Sequence, residues 1–187
     1  MTITSEHIDF ENHCRKIIGV TVVRVEYSEI CYEPERPKPY YPTKFQNLHS
    51  VDFSIFFHTK DNDIIEFYWD GKFFEFGIGI KINAPSNFLG YITWDVSYTD
   101  LWNKFIGTNI TDVKVTWETV TTTEQKTGKS ESFTYPQDIK IAFSNNQAVF
   151  ISAAGFLNQG DSKVYGMLDN LTVTDNEKLA RQVKMIV

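Results

Sequence analysis

Residues 51–82 carry the clearest alternation of apolar and polar positions in the chain. Val51, Phe53, Ile55 and Phe57 fall on one face of an extended segment, and Asp52, Ser54 and His58 fall on the other beside Phe56. That is the period-two signature of a half-buried strand. Lys60-Asp61-Asn62-Asp63 breaks the run, and two more apolar stretches, 64–69 and 72–82, follow on either side of Asp70-Gly71. Asp-Gly between apolar runs predicts a two-residue type I′ turn, because both central residues there take positive φ. The stretch reads as a three-strand antiparallel meander.

The flanking pattern is helical, then extended, then irregular. Phe10, Cys14 and Ile17 share one face of a short helix over 9–18, with Asp9 as its cap and Gly19 as its stop. Residues 20–30 read as a strand with Val23, Val25 and Tyr27 on one face and Arg24 and Glu26 on the other. Residues 31–50 hold four of the six prolines (Pro34, Pro37, Pro39 and Pro42), together with Tyr32, Tyr40, Tyr41 and Phe45. Proline lacks a ladder donor and restricts its predecessor, so this is a long loop, a length that tends to carry function. After a connection over 83–95 with a short strand at 91–94, Ser97 opens a capping-box pattern. Tyr98, Leu101, Trp102 and Phe105 then define an amphipathic helix over 98–106.

From here the pattern repeats. Lys16-Ile17-Ile18-Gly19 matches Lys104-Phe105-Ile106-Gly107. Val23-Arg24-Val25-Glu26-Tyr27 matches Val113-Lys114-Val115-Thr116-Trp117, and residues 52–57 match 138–143. A second long loop is expected over 119–136, and a hairpin turn at Asn145-Asn146. After an irregular stretch over 155–162, short strands follow near 163–168 and 171–173. A closing helix carries Leu179, Ala180, Val183 and Ile186 behind a capping box at Thr174. The expectation is one α+β domain over 1–187, predominantly antiparallel sheet with about three short helices. It is read as a duplication of a helix–strand–loop–hairpin unit, with halves near 9–95 and 97–187.

Bulk properties narrow the function classes. The chain has 187 residues, 42% hydrophobic and 15% aromatic, enough for one well-buried core. Its formal net charge of −6 argues against a nucleic-acid binder, which needs a basic surplus. The charge complements a basic protein partner. Cys14 and Cys31 form neither a disulfide framework nor a metal spacing. The opening residues lack the pattern of a secretory leader, and no apolar run has membrane-spanning length, so a cytoplasmic protein without a membrane role is expected.

No catalytic or cofactor motif appears, and neither a cofactor nor a metal is expected. His7, His13, His49 and His58 lack ligand spacing, and Gly77-Ile78-Gly79 lies within a strand, where it marks a bulge or close packing. The expected function is non-catalytic binding of another protein, in the manner of an inhibitor or immunity protein that neutralises a toxin or nuclease. The candidate surface joins the rigid, amphipathic Tyr40 and Tyr41 to acids near the first loop and the meander turns, Glu33, Glu35, Asp61, Asp63 and Asp70, with Glu29 in the same acidic cluster. A second possibility is a small-ligand or carbohydrate-binding β module using Tyr68, Trp69 and Trp94 as stacking platforms. A third is a hydrolase in which Glu66 and Glu75, paired across the Asp70-Gly71 turn, act as acid and base.

Overall fold

A computed structural model of the protein describes residues 4–87, 89–158 and 160–186. Residues 1–3, 88 and 159, which fall in the opening stretch and in the connections over 83–95 and 155–162, lie outside the described set, as does residue 187. The elements run α1 (Ser5–Arg15), β1 (Val22–Ile30), β2 (Leu48–Val51), β3 (Ser54–Thr59), β4 (Ile64–Asp70), β5 (Gly77–Ile82) and β6 (Tyr91–Asp95). Then come β7 (Ile110–Thr123), β8 (Ser130–Phe143), β9 (Ala148–Gly155), β10 (Tyr165–Thr174) and α2 (Glu177–Gln182). The strands form two five-stranded antiparallel sheets, ordered β5-β4-β3-β1-β6 and β2-β10-β9-β8-β7. Antiparallel sheet with few helices is thus the architecture, as the alternation predicts.

Alternation decides which faces meet. Val25, Tyr27, Ile55, Phe57, Ile65, Phe67 and Ile80 from the first sheet join Val113, Ile139, Ile141, Val149, Ile151 and Val173 from the second in one buried cluster. Each fully buried aliphatic or aromatic side chain of this kind contributes about 1.5–3 kcal/mol. Within the cluster, Trp102 Nε1 donates to Tyr27 Oη (2.5 Å), which also shares a hydrogen bond with His49 Nδ1 (3.0 Å). A second cluster, including Leu48, Phe150, Val164, Ala180 and Val183, sits under α2 on the outer side of the second sheet.

Each sheet contains a four-strand meander, β1-β3-β4-β5 in one and β7-β8-β9-β10 in the other. They are joined at a corner by reciprocal backbone bonds. Gly19 N–H donates to Ile110 O (2.8 Å) and Gly107 N–H to Val22 O (2.7 Å). Val22 N–H donates to Thr108 O (3.1 Å) and Ile110 N–H to Val20 O (2.9 Å). The centre of this exchange is the Thr21–Asn109 bridge, whose partners are 88 residues apart. The hairpin turns match as well, with Asn62 (φ 65°) and Asn146 (φ 63°) each in the left-handed region that asparagine tolerates. Lys60 N–H donates to Thr21 O and Ser144 N–H to Asn109 O.

Several expectations are corrected. The run 51–58 is two strands, because β2 pairs with β10 of the other sheet while β3 pairs with β1 and β4. Asp70 faces Gly77, so Asp70-Gly71 is not a two-residue turn. The intervening Phe73 packs on Phe10 and Trp117, and Phe74 stacks on Phe133 at 4.5 Å, which draws the segment off the ladder. Residues 98–106 form successive tight turns rather than a helix. Their would-be cap, the Ser97 hydroxyl, instead accepts the Val25 N–H (2.9 Å), while Leu101, Trp102 and Phe105 are buried. Helix α1 starts ahead of Asp9, behind Thr4, and Asn176 rather than Thr174 caps α2 by accepting from Leu179 N–H. Val23 is exposed because β1 slips register between Val22 and Arg24. The loop expected over 119–136 is instead the far end of the β7–β8 hairpin. Its β-branched residues pair across the strands through Thr119–Thr134, Thr121–Ser132 and Thr123–Ser130 hydroxyl contacts. Gly77 and Gly79 are close-packed as expected, and a Cβ on Gly79 would lie 2.6 Å from the Tyr68 ring.

Candidate functional site

Apart from the Pro42–His49 bridge to β2, the prolines of residues 31–47 keep that segment off the ladders, and its side chains wall a cavity of about 590 Å³. Tyr32, Tyr40, Pro42, Thr43 and Lys44 line one side, and Ser50 and Asp52 the next. The opposite wall comes from the second half: Phe156, Leu157, Asn158 and Asp161 after β9, and Asn170 from β10. Two contacts tie the walls together, the Phe45–Phe156 stack at 6.0 Å and the bond from Lys44 Nζ to Gly160 O at 2.7 Å. A register break in β10 between Gly166 and Leu171, with Met167 at φ 58°, accompanies the placement of Asn170 on the wall.

Glu29 also lines this cavity. Its position follows from the strand period: Val25, Tyr27 and Glu29 alternate onto the inward face of β1, and at its last turn that face reaches the cavity instead of the core. The residue is 0% exposed. Its Oε2 accepts the Tyr40 N–H (3.0 Å), but its Oε1 is buried with no hydrogen-bond partner among the described residues. Trp94 Nε1 makes no full hydrogen bond either, yet lies close enough to favour the ionised carboxyl. Burial dominates and, with the Asp52 charge, lifts the Glu29 pKa to about 7. Burial likewise raises Asp52, against the Tyr32 hydroxyl that donates to it at 2.6 Å. A buried acid with an unsatisfied oxygen in an open cavity is a functional-site signature.

The expected surface residues are dispersed by the fold. Glu33, Glu35 and Tyr40 lie together on the exposed loop, where Tyr40 Oη (2.8 Å) and Lys38 Nζ (2.7 Å) both donate to Glu33. Tyr41 turns inward onto Tyr27 and His49. Asp61 and Asp63 occupy the β3–β4 turn at the far end of the sheet, where Asp63 accepts from Asn83 Nδ2 (2.7 Å). Asp70 ends β4 and accepts from Tyr68 Oη (3.3 Å) and Lys72 N–H (3.2 Å). Of the set, only Tyr40 lines the cavity. Sequence reasoning groups Glu29 with Glu33 and Glu35 in an acidic cluster without choosing it as a site residue, and misses Asp52. The available signal is Glu29 itself, a carboxylate continuing the Val25–Tyr27 face.

The carboxylate pair and the stacking rings are also placed differently from expectation. Glu66 pairs with Lys81, not Glu75, and its carboxylate is satisfied by Ser54 Oγ and Ser86 N–H, both at 2.7 Å. Glu75 is exposed in the β4–β5 connection. Trp69 packs on Phe53 and Phe76, and neither Trp69, Tyr68 nor Trp94 lines the cavity. Among the described residues no three His, Cys, Asp or Glu side chains converge as a metal site, and no helix is long and apolar enough to cross a membrane. No family model matches the chain, and neither a curated protein nor a solved structure matches it.

Proposed function

We propose that the protein is a non-catalytic binding protein that engages another protein through the cavity between the proline-tyrosine loop and the β9–β10 connection. One observation carries this reading: Glu29 holds an unsatisfied oxygen at a cavity whose aromatic rim is exposed. A partner group that satisfies the oxygen recovers the cost of leaving it bare. With a net charge of −6, the matching partner is basic. The concrete form is an inhibitor or immunity protein acting in the cytoplasm on a basic toxin or nuclease. The reciprocal bonds at the Thr21–Asn109 bridge support descent of the two meanders from one duplicated unit.

A small-ligand or carbohydrate site is the second reading, favoured by the cavity's volume and its asparagine and tyrosine lining. Affinity capture from a lysate of the source organism separates the two. The protein-binding reading expects a stoichiometric basic partner on the wild type and its loss from Tyr32→Ala and Tyr40→Ala. Capture that is absent, or equal on wild type and variants, sinks it.

A further inference from the structure

We propose that the cavity receives a single guanidinium group, an arginine side chain of the bound protein, with Glu29 as its buried counter-charge. This rests on the protein-binding reading and assigns the chemistry of its anchor. The lining holds three carboxylates, Glu29, Asp52 and Asp161, against one ammonium, Lys44. That ammonium is directed onto the Gly160 carbonyl, and Asp161 accepts the Asn158 N–H (3.0 Å), so both are engaged within the wall. Among the described residues Glu29 Oε1 makes no full hydrogen bond, although the Trp94 indole and the Tyr41 N–H lie near the carboxyl. An entering group must therefore donate hydrogen bonds and carry positive charge.

The rim narrows the choice further. Tyr32 and Tyr40 meet edge to face at 5.3 Å between ring centres, and both are exposed. Tyr40 already carries one cation, since Lys38 Nζ sits 5.2 Å from its ring centre. Aromatic faces over a carboxylate suit a planar, weakly hydrated guanidinium better than a compact ammonium, because the guanidinium can stack and present parallel N–H donors together. The cavity also has room for the aliphatic stem behind the charged head.

The test is calorimetric titration of the wild-type protein with N-acetyl-arginine amide, N-acetyl-lysine amide and N-acetyl-citrulline amide, citrulline being the neutral isostere. The arginine derivative is expected to bind most tightly, with citrulline weaker by at least about tenfold. Glu29→Gln is expected to remove a similar factor for arginine. Asp52→Asn, at the same cavity, provides a second reading if Glu29→Gln does not fold. Equal binding of arginine and citrulline, no binding of either, or unchanged affinity in a folded Glu29→Gln overturns the proposal. Saturating arginine derivative should also release the captured partner. Capture that persists leaves the protein-binding reading standing and removes this anchor. Arginine binding with no partner captured overturns the side-chain source and assigns the guanidinium to a free ligand.

Discussion

The two halves lay down the same four-strand meander and then treat one connection in opposite ways. Between β1 and β3 the chain leaves the sheet after Ile30, wraps through the prolines, lends β2 to the β10 edge and returns at Ser54. Between β7 and β8 it never leaves; the ladder runs on to Thr123 and Ser130 and closes through a short turn. The chemistry of the residues accounts for the contrast. Pro34, Pro37, Pro39 and Pro42 remove ladder donors where Thr119, Val120, Thr121, Thr122 and Thr123 supply β-branched ones. The cavity walled by Tyr32, Tyr40 and Lys44 lies where the prolines forbid the ladder. The same scaffold therefore carries a cavity-walling loop in one half and a continuous ladder in the other.

The sharpest break in the likeness is at the segment preceding each meander. Trp102 is fully buried, and the equivalent position in the first half is Cys14, also fully buried but small. Trp102→Ala should cost about 3–5 kcal/mol in urea unfolding, as large aromatic deletions do, and should leave Tyr27 without its donor. Cys14→Ala should cost about 1 kcal/mol. Similar losses at the two positions would mean that the segments support their sheets alike.

Buried acids offer the next comparison. Glu29 opens onto the cavity in the first half. Asp138 lies buried in β8, both oxygens without a hydrogen-bond partner among the described residues, and burial lifts it too to about pKa 7. A raised acid stabilises the fold while protonated, so its contribution is complete below about pH 4 and lost as pH rises through 7. His49, lowered by burial to about 4, acts oppositely: its contribution is complete above about pH 6.5 and lost on acidification toward 4. Two acids outweigh one histidine, so stability should fall by roughly 2–3 kcal/mol between pH 5.5 and pH 8. Glu29→Gln and Asp138→Asn should each flatten that slope, read as the midpoint of urea unfolding against pH. A slope unchanged in both variants would assign the pH dependence elsewhere. Bound arginine derivative should flatten the Glu29 share alone.

Gly19 and Gly107 test the likeness itself. Their φ values are 90° and 79°, and a Cβ at either would meet nothing within 4 Å. Alanine at each should therefore cost the same backbone strain, about 1–2 kcal/mol. Unequal costs in urea unfolding would show that the two corners are not held alike. The smallest effect is expected at the β7–β8 arm. Closing it with Asn-Gly between Val120 and Phe133 keeps the Phe74–Phe133 stack and should change stability by less than about 1 kcal/mol.

What is legible in the chain is local. Alternation along 51–58 and 64–69 places strands, and the matches around Gly19 and Gly107 place two corners that do form. What is illegible depends on partners distant in sequence. Nothing near Leu48–Val51 announces that it belongs to the other sheet, and the Asp70-Gly71 signal is overruled by Phe73 and Phe74 packing on residues beyond 110. Proximity in sequence groups the candidate acids Asp61 and Asp63 with Glu33, while strand direction sends them to opposite ends of the sheet. Glu29 is visible as a charge on an apolar face, but its orphaned oxygen exists only once Tyr40 has taken the other one.

The pairing of β2 with β10 has a consequence for biosynthesis. Leu48–Val51 has no ladder partner until residues 171–174 have left the ribosome, which at common translation speeds is roughly ten seconds later. The first-half loop, Glu29 included, lacks its second wall until then. A nascent chain, or one truncated before residue 171, therefore has no assembled cavity.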